Sequence, residues 1–333
     1  MAPPPFLHNC IKPQRLALLL ISLLVLSVFL PTLKSYLYNS KDWREEFSLI
    51  SIQSNRDSTL QAAYFLSVSK NKAKPLLVSL HSWSADYTQQ DPLATLALKA
   101  GWNYIHPDFR GANNTKDACL SDLVISDIDD AIQYAIDHAH VDLDNIFIVG
   151  ASGGGYVTLG TYLKTRHKIK AFLSWVPISD LSTWYSQTIK KHPELAKNII
   201  DCTSNNQTFN KSLAKKRSPL YWEIPTTNNG KLEIYAGIND GFEGSVPISH
   251  SINFYNYLIK HYRLDDQLVS AEDTDKLLKR EIPKPNIKFN KIGKRQVLYK
   301  KDTPKVSITL FTGGHEMLAE YCFHHLEKLS LKQ

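Results

Sequence analysis

Ser152 has sequence neighbours that favour nucleophilic chemistry. It lies in Gly150-Ala151-Ser152-Gly153-Gly154, after a β-branched and aromatic run at 146–149 and before the segment Tyr156 to Lys164. The run predicts a strand buried on both faces, and the segment predicts a helix. At such a junction the serine is exposed on a sharp turn, and the flanking glycines let strand and helix approach closely. We therefore expect a nucleophile; an incidental serine in a glycine-rich loop is the alternative.

A serine hydroxyl needs a base to remove its proton, and the base needs an acid that fixes its tautomer. Two residues of the right type each follow a predicted strand by four residues. Asp240 follows the strand at 231–236, and His315 follows the strand that ends at Phe311. Either residue alone is explained as a turn residue. Together they give the order serine, aspartate, histidine, which predicts a triad with Ser152 as nucleophile, His315 as base and Asp240 as acid.

Acyl transfer also needs N–H donors for the developing oxyanion. Gly153, directly after the serine, supplies one from the start of its helix. The second should come from the loop after the third strand, which reads His81-Ser82-Trp83-Ser84. The N–H of Ser82 or of Trp83 can serve, and the sequence does not choose between them. His81 itself is expected to be structural.

The elements that must position these residues alternate along the chain. Short apolar strands between helices predict an α/β fold, with a mostly parallel sheet of about eight strands and helices on both faces. Ligands of such sheets bind beyond the carboxyl ends of the strands, where Ser152 lies. The predicted strands are 47–53, 60–68, 75–80, 102–105, 146–149, 171–175, 231–236 and 305–311, the first two forming a hairpin, and the helices are 93–99, 125–139, 156–164, 248–261 and 316–331.

The N-terminal segment lies outside this pattern. Leu16 to Leu30 is apolar apart from two serines and follows Lys12 and Arg15. Its uncharged window spans roughly 27 Å at about 1.5 Å per residue, close to the hydrocarbon thickness of a bilayer. Because no A-x-A-like cleavage site follows, residues 1–37 are expected to be a signal-anchor, with a cleaved signal peptide as the alternative. The catalytic domain, 38–333, is then expected to be membrane-anchored or exported to the periplasmic or extracellular side.

The cysteines are interpreted from that expected location. Cys119, Cys202 and Cys322 would lie in an oxidising compartment, which predicts one disulfide and one free thiol. Sequence alone does not identify the pair. The chain has no C-x-x-C spacing, and its paired histidines lack matching ligands, so neither a metal nor a cofactor is expected.

Further motifs surround the three triad residues: His81-Ser82-Trp83, His106-Pro107-Asp108-Phe109-Arg110-Gly111, Val141-Asp142-Leu143-Asp144-Asn145-Ile146, Gly150 to Gly155, Arg217-Ser218-Pro219, Val246-Pro247 and Gly314-His315-Glu316. Together they resemble the catalytic domain of the prolyl oligopeptidase family of α/β-hydrolases, over about residues 45 to 330. The resemblance implies an α/β-hydrolase fold, peptide substrates, the same triad, and an Arg110 that ties its loop to an acidic partner such as Asp127.

Those peptidases usually carry a β-propeller before the catalytic domain, whereas only about 45 residues precede it here. From the resemblance, the expected function is a serine hydrolase that acts by acyl-enzyme chemistry on small peptides, as a peptidase of this family without a propeller. A carboxylesterase or acetyl esterase of the same fold is the alternative. From another class, the alternative is a hydrolase-fold binding protein that has lost its chemistry, although no triad residue is missing.

Two other features bear on substrate and partners. Aromatic residues of loops near the strand ends, Trp184, Tyr185 and Phe242, are expected to form an apolar substrate pocket. A basic insertion at about 263–304 carries the excess positive charge, and between 276 and 305 the local charge of +9 exceeds the chain's +7. A solvated loop is expected there, with an anionic lipid, glycan or cell-wall surface as the alternative, and nucleic acid is not expected as a partner. Three sequons begin at Asn113, Asn206 and Asn210.

Overall fold

The computed structural model describes residues 43–69, 71–204, 206–226, 230–282 and 291–331. The predicted membrane segment, Leu16 to Leu30, lies outside the described residues. Within the described ranges, no helix combines the length and the apolar character that a bilayer crossing requires.

The described part of the chain contains ten strands: β1 (Ser48–Gln53), β2 (Leu60–Leu66), β3 (Lys74–Leu80), β4 (Asn103–Pro107), β5 (Val141–Ala151), β6 (Ala171–Trp175), β7 (Lys231–Gly237), β8 (Lys291–Ile292), β9 (Arg295–Asp302) and β10 (Val306–Phe311). They form a sheet in the order β1-β2-β4-β3-β5-β6-β7-β10-β9-β8. The six central strands, from β4 to β10, are parallel, and the pairs at both edges are antiparallel. Every residue of β4, β6 and β10 is buried, as in strands covered on both faces.

Nine α-helices lie within the described residues: α1 (Pro92–Ala100), α2 (Asp122–His138), α3 (Gly153–Lys164), α4 (Leu181–Thr188), α5 (Pro193–Thr203), α6 (Lys211–Lys216), α7 (Ser249–His261), α8 (Ala271–Leu278) and α9 (Ala319–Ser330). Local sequence sets their ends. The Asp91 side chain accepts the N–H of Leu93 at the start of α1, and Gly101, in the left-handed conformation, ends that helix.

The helices cover both faces of the sheet. Phe147 of β5 packs on Trp102, which contacts Phe323 of α9. The next residue of β5 is in register with Phe172, which contacts Tyr162 of α3. Because successive residues of a strand point to opposite faces, α3 and α9 lie on opposite sides of the sheet. The predicted α/β fold with a mostly parallel sheet is confirmed.

The sheet has ten strands rather than about eight. All eight predicted strands are present, and the two additional ones, β8 and β9, lie in the basic insertion that was expected to be a solvated loop. In β9, Val297 is buried against the sheet opposite Phe311, whereas Lys300 is exposed and Lys301 is only partly buried. The high density of lysines conceals this alternation in the sequence.

Two connections, an ion-pair network and a disulfide, join segments that are far apart in the sequence. Arg110 donates from Nε to Asp127 Oδ2 at 2.5 Å and from Nη1 to Asp57 Oδ2 at 2.8 Å. It therefore joins the loop after β4 to helix α2 and to the β1–β2 hairpin, as the resemblance implied. Cys119 is bonded to Cys202 of α5, and Cys322 is a buried free thiol. The expected arrangement of one disulfide and one free thiol is confirmed.

Candidate active site

Ser152 lies at a strained turn between β5 and α3. Its backbone has φ 58° and ψ −117°, a conformation that costs a non-glycine residue about 1–3 kcal/mol. The turn is held from both sides, because the N–H of Ser152 donates to the carbonyl of Trp175 at 2.9 Å and the N–H of Tyr156 donates to the carbonyl of Ser152 at 2.9 Å. The surrounding structure thus maintains a conformation that the serine would not adopt alone.

The glycines around Ser152 allow close backbone contacts. A Cβ at Gly150 would lie 2.3 Å from the carbonyl oxygen of Gly154, so a side chain there would separate strand and helix. A Cβ at Gly153 would lie 2.3 Å from the backbone nitrogen of Trp83. The first contact confirms the predicted approach of strand and helix. The second places the loop after β3 directly against the residue that follows the serine.

His315 and Asp240 form a hydrogen-bonded pair. His315 Nδ1 lies 2.7 Å from Asp240 Oδ2, and the other carboxylate oxygen accepts the N–H groups of Gly241 at 2.9 Å and of Val246 at 3.1 Å. The Asp240 side chain is 1% exposed and the His315 side chain 24%. Since an ionised carboxylate only accepts hydrogen bonds, Nδ1 carries the proton and Nε2 has a free lone pair.

The loop after Asp240 wraps tightly around this pair. A Cβ at Gly244 would lie 2.4 Å from Asp240 Oδ1 and 2.6 Å from His315 Cβ. Only a residue without a side chain leaves both groups in place. Gly244 has no recognisable motif in the sequence, because its role depends on a contact with a residue 71 positions further along the chain.

The three predicted triad residues lie at one edge of the sheet. Strands β5, β7 and β10 are parallel and separated only by β6, so their carboxyl ends point the same way. Ser152 follows β5, Asp240 follows β7 and His315 follows β10. Within the described residues, the His315–Asp240 hydrogen bond of the predicted triad is present, whereas the Ser152 hydroxyl forms no hydrogen bond. Catalytic hydrogen bonds are often long without substrate.

The geometry distinguishes the two candidates for the second oxyanion donor. The N–H and the hydroxyl of Ser82 both donate to Gln89 Oε1, each at 2.8 Å. The N–H of Trp83 has no acceptor within the described ranges, and it lies beside Gly153. The arrangement therefore favours Trp83 over Ser82.

Histidines outside the pair have other partners. His81 is fully buried, stacks on Phe109 at 3.8 Å, and has its ring nitrogens near the carbonyls of Ser82 and Asp108. Burial lowers the pKa of His81 to about 4, which fits the expected structural role. The described residues include no group of three or more His, Cys, Asp and Glu side chains that could hold a metal ion.

The three aromatic residues predicted for the substrate pocket have separate partners. Trp184 is buried, packs edge-on against Trp83 at 4.7 Å and donates its indole N–H to the carbonyl of Ser245 at 2.8 Å. Tyr185 stacks on Phe209 at 4.0 Å. Phe242 is 51% exposed, and the Arg280 guanidinium lies 3.9 Å from its ring centre. Trp184 thus packs against Trp83 in the loop after β3, whereas Phe242 is exposed to solvent.

Comparisons with known proteins bear on the family and the fold. The profile of the prolyl oligopeptidase family matches residues 92–273, which is more than half of the chain. A search of curated proteins finds no match. Similar solved structures include an acylaminoacyl peptidase from Pyrococcus horikoshii, with 16% identity and a TM-score of 0.57 over 89% of this chain and 42% of that one. They also include a puromycin-hydrolyzing peptidase from Mycobacterium tuberculosis, with 17% identity and a TM-score of 0.55 over 86% and 39%.

Oligopeptidase B from Leishmania major is similar as well, with 12% identity and a TM-score of 0.56 over 86% of this chain and 38% of that one. At these identities the solved structures establish a shared fold only. This chain spans about two fifths of the length of the structures that it matches.

Proposed function

The chain belongs to the prolyl oligopeptidase family, and from this premise we propose that it is a serine peptidase that cleaves small peptides through an acyl-enzyme. The observation that carries the proposal is the His315–Asp240 hydrogen bond of 2.7 Å, at the sheet edge that also holds the strained Ser152. A buried carboxylate with both oxygens engaged, paired with a histidine whose second nitrogen has a free lone pair, is suited to general-base catalysis.

The proposed reaction proceeds in two halves. Ser152 Oγ attacks the scissile carbonyl carbon while His315 Nε2 takes the hydroxyl proton, and Asp240 stabilises the imidazolium. The N–H groups of Gly153 and Trp83 hold the oxyanion. The C–N bond then breaks as His315 returns the proton to the leaving amine. Water attacks the resulting ester with His315 again as base, which releases the acid and regenerates the serine.

The substrate class is proposed from the family and its relatives. The similar structures are named as peptidases and oligopeptidases, which supports short peptides over folded proteins. A membrane-anchored or exported location stays a prediction. The disulfide between Cys119 and Cys202 supports it, because such bonds persist in oxidising compartments.

A fluorophosphonate probe tests the nucleophile on the full chain. We expect the probe to label the wild type and the control variant Ser84→Ala, which removes an exposed serine hydroxyl of the oxyanion loop, but not Ser152→Ala. Labelling of Ser152→Ala to the same extent as wild type would refute the assignment. No labelling of any variant would instead favour a binding protein without chemistry.

Substrate turnover then separates a peptidase from an esterase of the same fold. Prolyl and other peptide p-nitroanilides are compared with short acyl p-nitrophenyl esters, using wild type and Ser152→Ala. We expect Ser152-dependent hydrolysis of the amides. Hydrolysis of the esters alone would replace the peptidase proposal with a carboxylesterase or acetyl esterase.

A further inference from the structure

The loop after β4, residues 112–120, contains two buried residues that connect it to other parts of the fold. Asn113 is 1% exposed, and its backbone N–H donates to the carbonyl of Trp83 at 2.8 Å. Cys119 is fully buried and bonded to Cys202 of α5. The loop thus links the segment that carries the proposed oxyanion donor to a disulfide-anchored helix.

The side chain of Asn113 holds this loop together. Its Oδ1 accepts the N–H of Cys119 at 3.0 Å, and its Nδ2 lies 3.4 Å from the carbonyl oxygen of Trp83. Cys119 and Leu120 have φ values of 50° and 52°, each unfavourable for a non-glycine residue. A buried hydrogen bond to the N–H of Cys119 therefore stabilises a turn that would otherwise relax.

Trp83 is fixed on both sides of its Cα. The N–H of the preceding residue, Ser82, donates to Gln89, and the carbonyl of Trp83 accepts the backbone N–H of Asn113. The indole N–H of Trp83 donates to Asn198 Oδ1 at 3.3 Å. Asn198 lies one turn before Cys202 on α5. These contacts form a closed ring. The Trp83 carbonyl binds Asn113, and the Asn113 side chain binds Cys119. The disulfide joins Cys119 to α5, and Asn198 of that helix accepts the indole N–H of Trp83.

The same residue begins the first sequon, Asn113-Asn114-Thr115. Its amide is buried and both of its polar atoms face partners, so it is inaccessible for glycosylation in the folded protein. By contrast, Asn206 and Asn210 are exposed. Asn113 therefore has a structural role in the folded protein, which its sequon does not indicate.

We propose that Asn113 is a positioning residue for the oxyanion hole: through the disulfide-anchored loop it fixes the direction of the Trp83 N–H. The inference rests on the proposed function, because it assigns a support to a donor of that same reaction. An oxyanion donor stabilises the transition state only when it points at the position that the oxyanion will occupy. Loss of the support should therefore lower kcat and leave KM nearly unchanged.

The test compares Asn113→Ala with Asn103→Ala in the full chain. Asn103 is a matched control, because it is also a buried asparagine that bridges backbone groups, accepting from Val68 and donating to Lys74 and His140. It begins β4, at the end of the strand remote from Ser152. We expect Asn113→Ala to lose about tenfold to a hundredfold in kcat, and Asn103→Ala to keep wild-type kcat at a temperature where both are folded.

A second readout is specific to the oxyanion hole. Each variant is assayed with an ester and with the matching thionoester, whose larger sulfur is a weaker hydrogen-bond acceptor. A well-aimed donor discriminates strongly between the two, so the ratio of ester to thionoester turnover should fall in Asn113→Ala and stay constant in Asn103→Ala. A folded Asn113→Ala variant with wild-type kcat and ratio, or with a change in KM alone, would overturn the proposal.

Should Asn113→Ala fail to fold, wild-type protein with its disulfide reduced gives the same comparison without a substitution. Reduction releases Cys119 from α5 and should lower kcat and the ratio together; no change in either would overturn the proposal. Probe labelling of Ser152 separates this result from the proposed function. If wild type is labelled at Ser152 and Asn113→Ala behaves as wild type, only the positioning role fails.

Discussion

Two histidine–carboxylate pairs are built from the same two parts of the chain. His315 binds Asp240 at 2.7 Å, and His325 binds Glu233 at 2.9 Å. In both pairs the carboxylate comes from β7 or the loop after it, the histidine follows β10, and the histidine side chain is 24% exposed. Hydrogen-bond length and exposure therefore do not distinguish a proposed catalytic pair from a structural one.

The surroundings of the two pairs do differ. Asp240 lies beyond the end of β7, where backbone N–H groups occupy its second oxygen. Glu233 lies within β7 and accepts the hydroxyl of Tyr235 at 2.5 Å, in a setting where His325 stacks against Tyr321. Burial opposes ionisation of Glu233, but the hydrogen bonds to His325 and Tyr235 and the electrostatic effect of nearby basic groups outweigh it, so its pKa is lowered. The position relative to the strand ends decides which pair can meet a substrate.

Removing each histidine gives the largest expected difference. His315→Ala should lower kcat/KM by about 10⁴- to 10⁶-fold, because it removes the proposed base for Ser152. His325→Ala should leave kcat/KM unchanged and lower the free energy of unfolding by about 3 kcal/mol, since it leaves the buried Glu233 without the hydrogen bond to His325. Peptide p-nitroanilide hydrolysis and urea denaturation measure the two effects.

The contrast fails if the two variants lose activity equally while both remain folded. Activity is normalised to the folded fraction from circular dichroism, so that unfolding of His325→Ala is not mistaken for a loss of catalysis. A folded His325→Ala variant with normalised activity as low as that of His315→Ala would show that the second pair also serves the reaction.

Neutralising each carboxylate should give smaller effects of the same kind. Asp240→Asn should lower kcat by about 10⁴-fold, because the amide favours the wrong imidazole tautomer. Glu233→Gln should keep kcat and lose about 1–3 kcal/mol of unfolding free energy, because an amide replaces the carboxylate that accepts from both His325 and Tyr235. An Asp240→Asn variant with wild-type kcat would remove Asp240 from the triad.

The sequence was sufficient to predict those parts of the site that depend on local patterns. Ser152, Asp240 and His315 each follow an apolar run by three or four residues, so a parallel sheet brings them to one edge. The close approach at Gly150 follows from the same short motif.

Contacts between distant segments could not be predicted in this way. The pairing of Cys119 with Cys202 depends on where α5 packs, and three cysteines leave the choice open. The role of Asn113 depends on the same packing. Gly244 is needed only because Asp240 and His315 meet beside it. Each of these residues is defined by a neighbour far away in the chain, and no local periodicity encodes that neighbour.

Buried histidines without a carboxylate partner extend the comparison to pH. His81 and His250 each have a pKa lowered by burial from 6.5 to about 4. Around His250, the Ser179 N–H donates to Nδ1 and Gln187 Oε1 faces Nε2, which suits the neutral ring. In the unfolded chain both histidines bind protons below about pH 6.5, so the stability that they contribute is present above that pH and declines as the pH falls towards 4.

The expected loss at pH 5 relative to pH 7.5 is about 2 kcal/mol of unfolding free energy for each histidine. Urea denaturation at the two pH values measures it.

His250→Gln keeps a polar side chain but cannot titrate, so it should reduce the loss of unfolding free energy by the contribution of one histidine. The control His138→Gln makes the same substitution at an exposed histidine, so a change that both variants share reports the substitution and not the burial of His250. Equal pH dependence in wild type and His250→Gln would mean that His250 binds its proton as readily in the folded protein as in the unfolded chain. The contrast between buried unpaired histidines and carboxylate-bound ones would then no longer include His250.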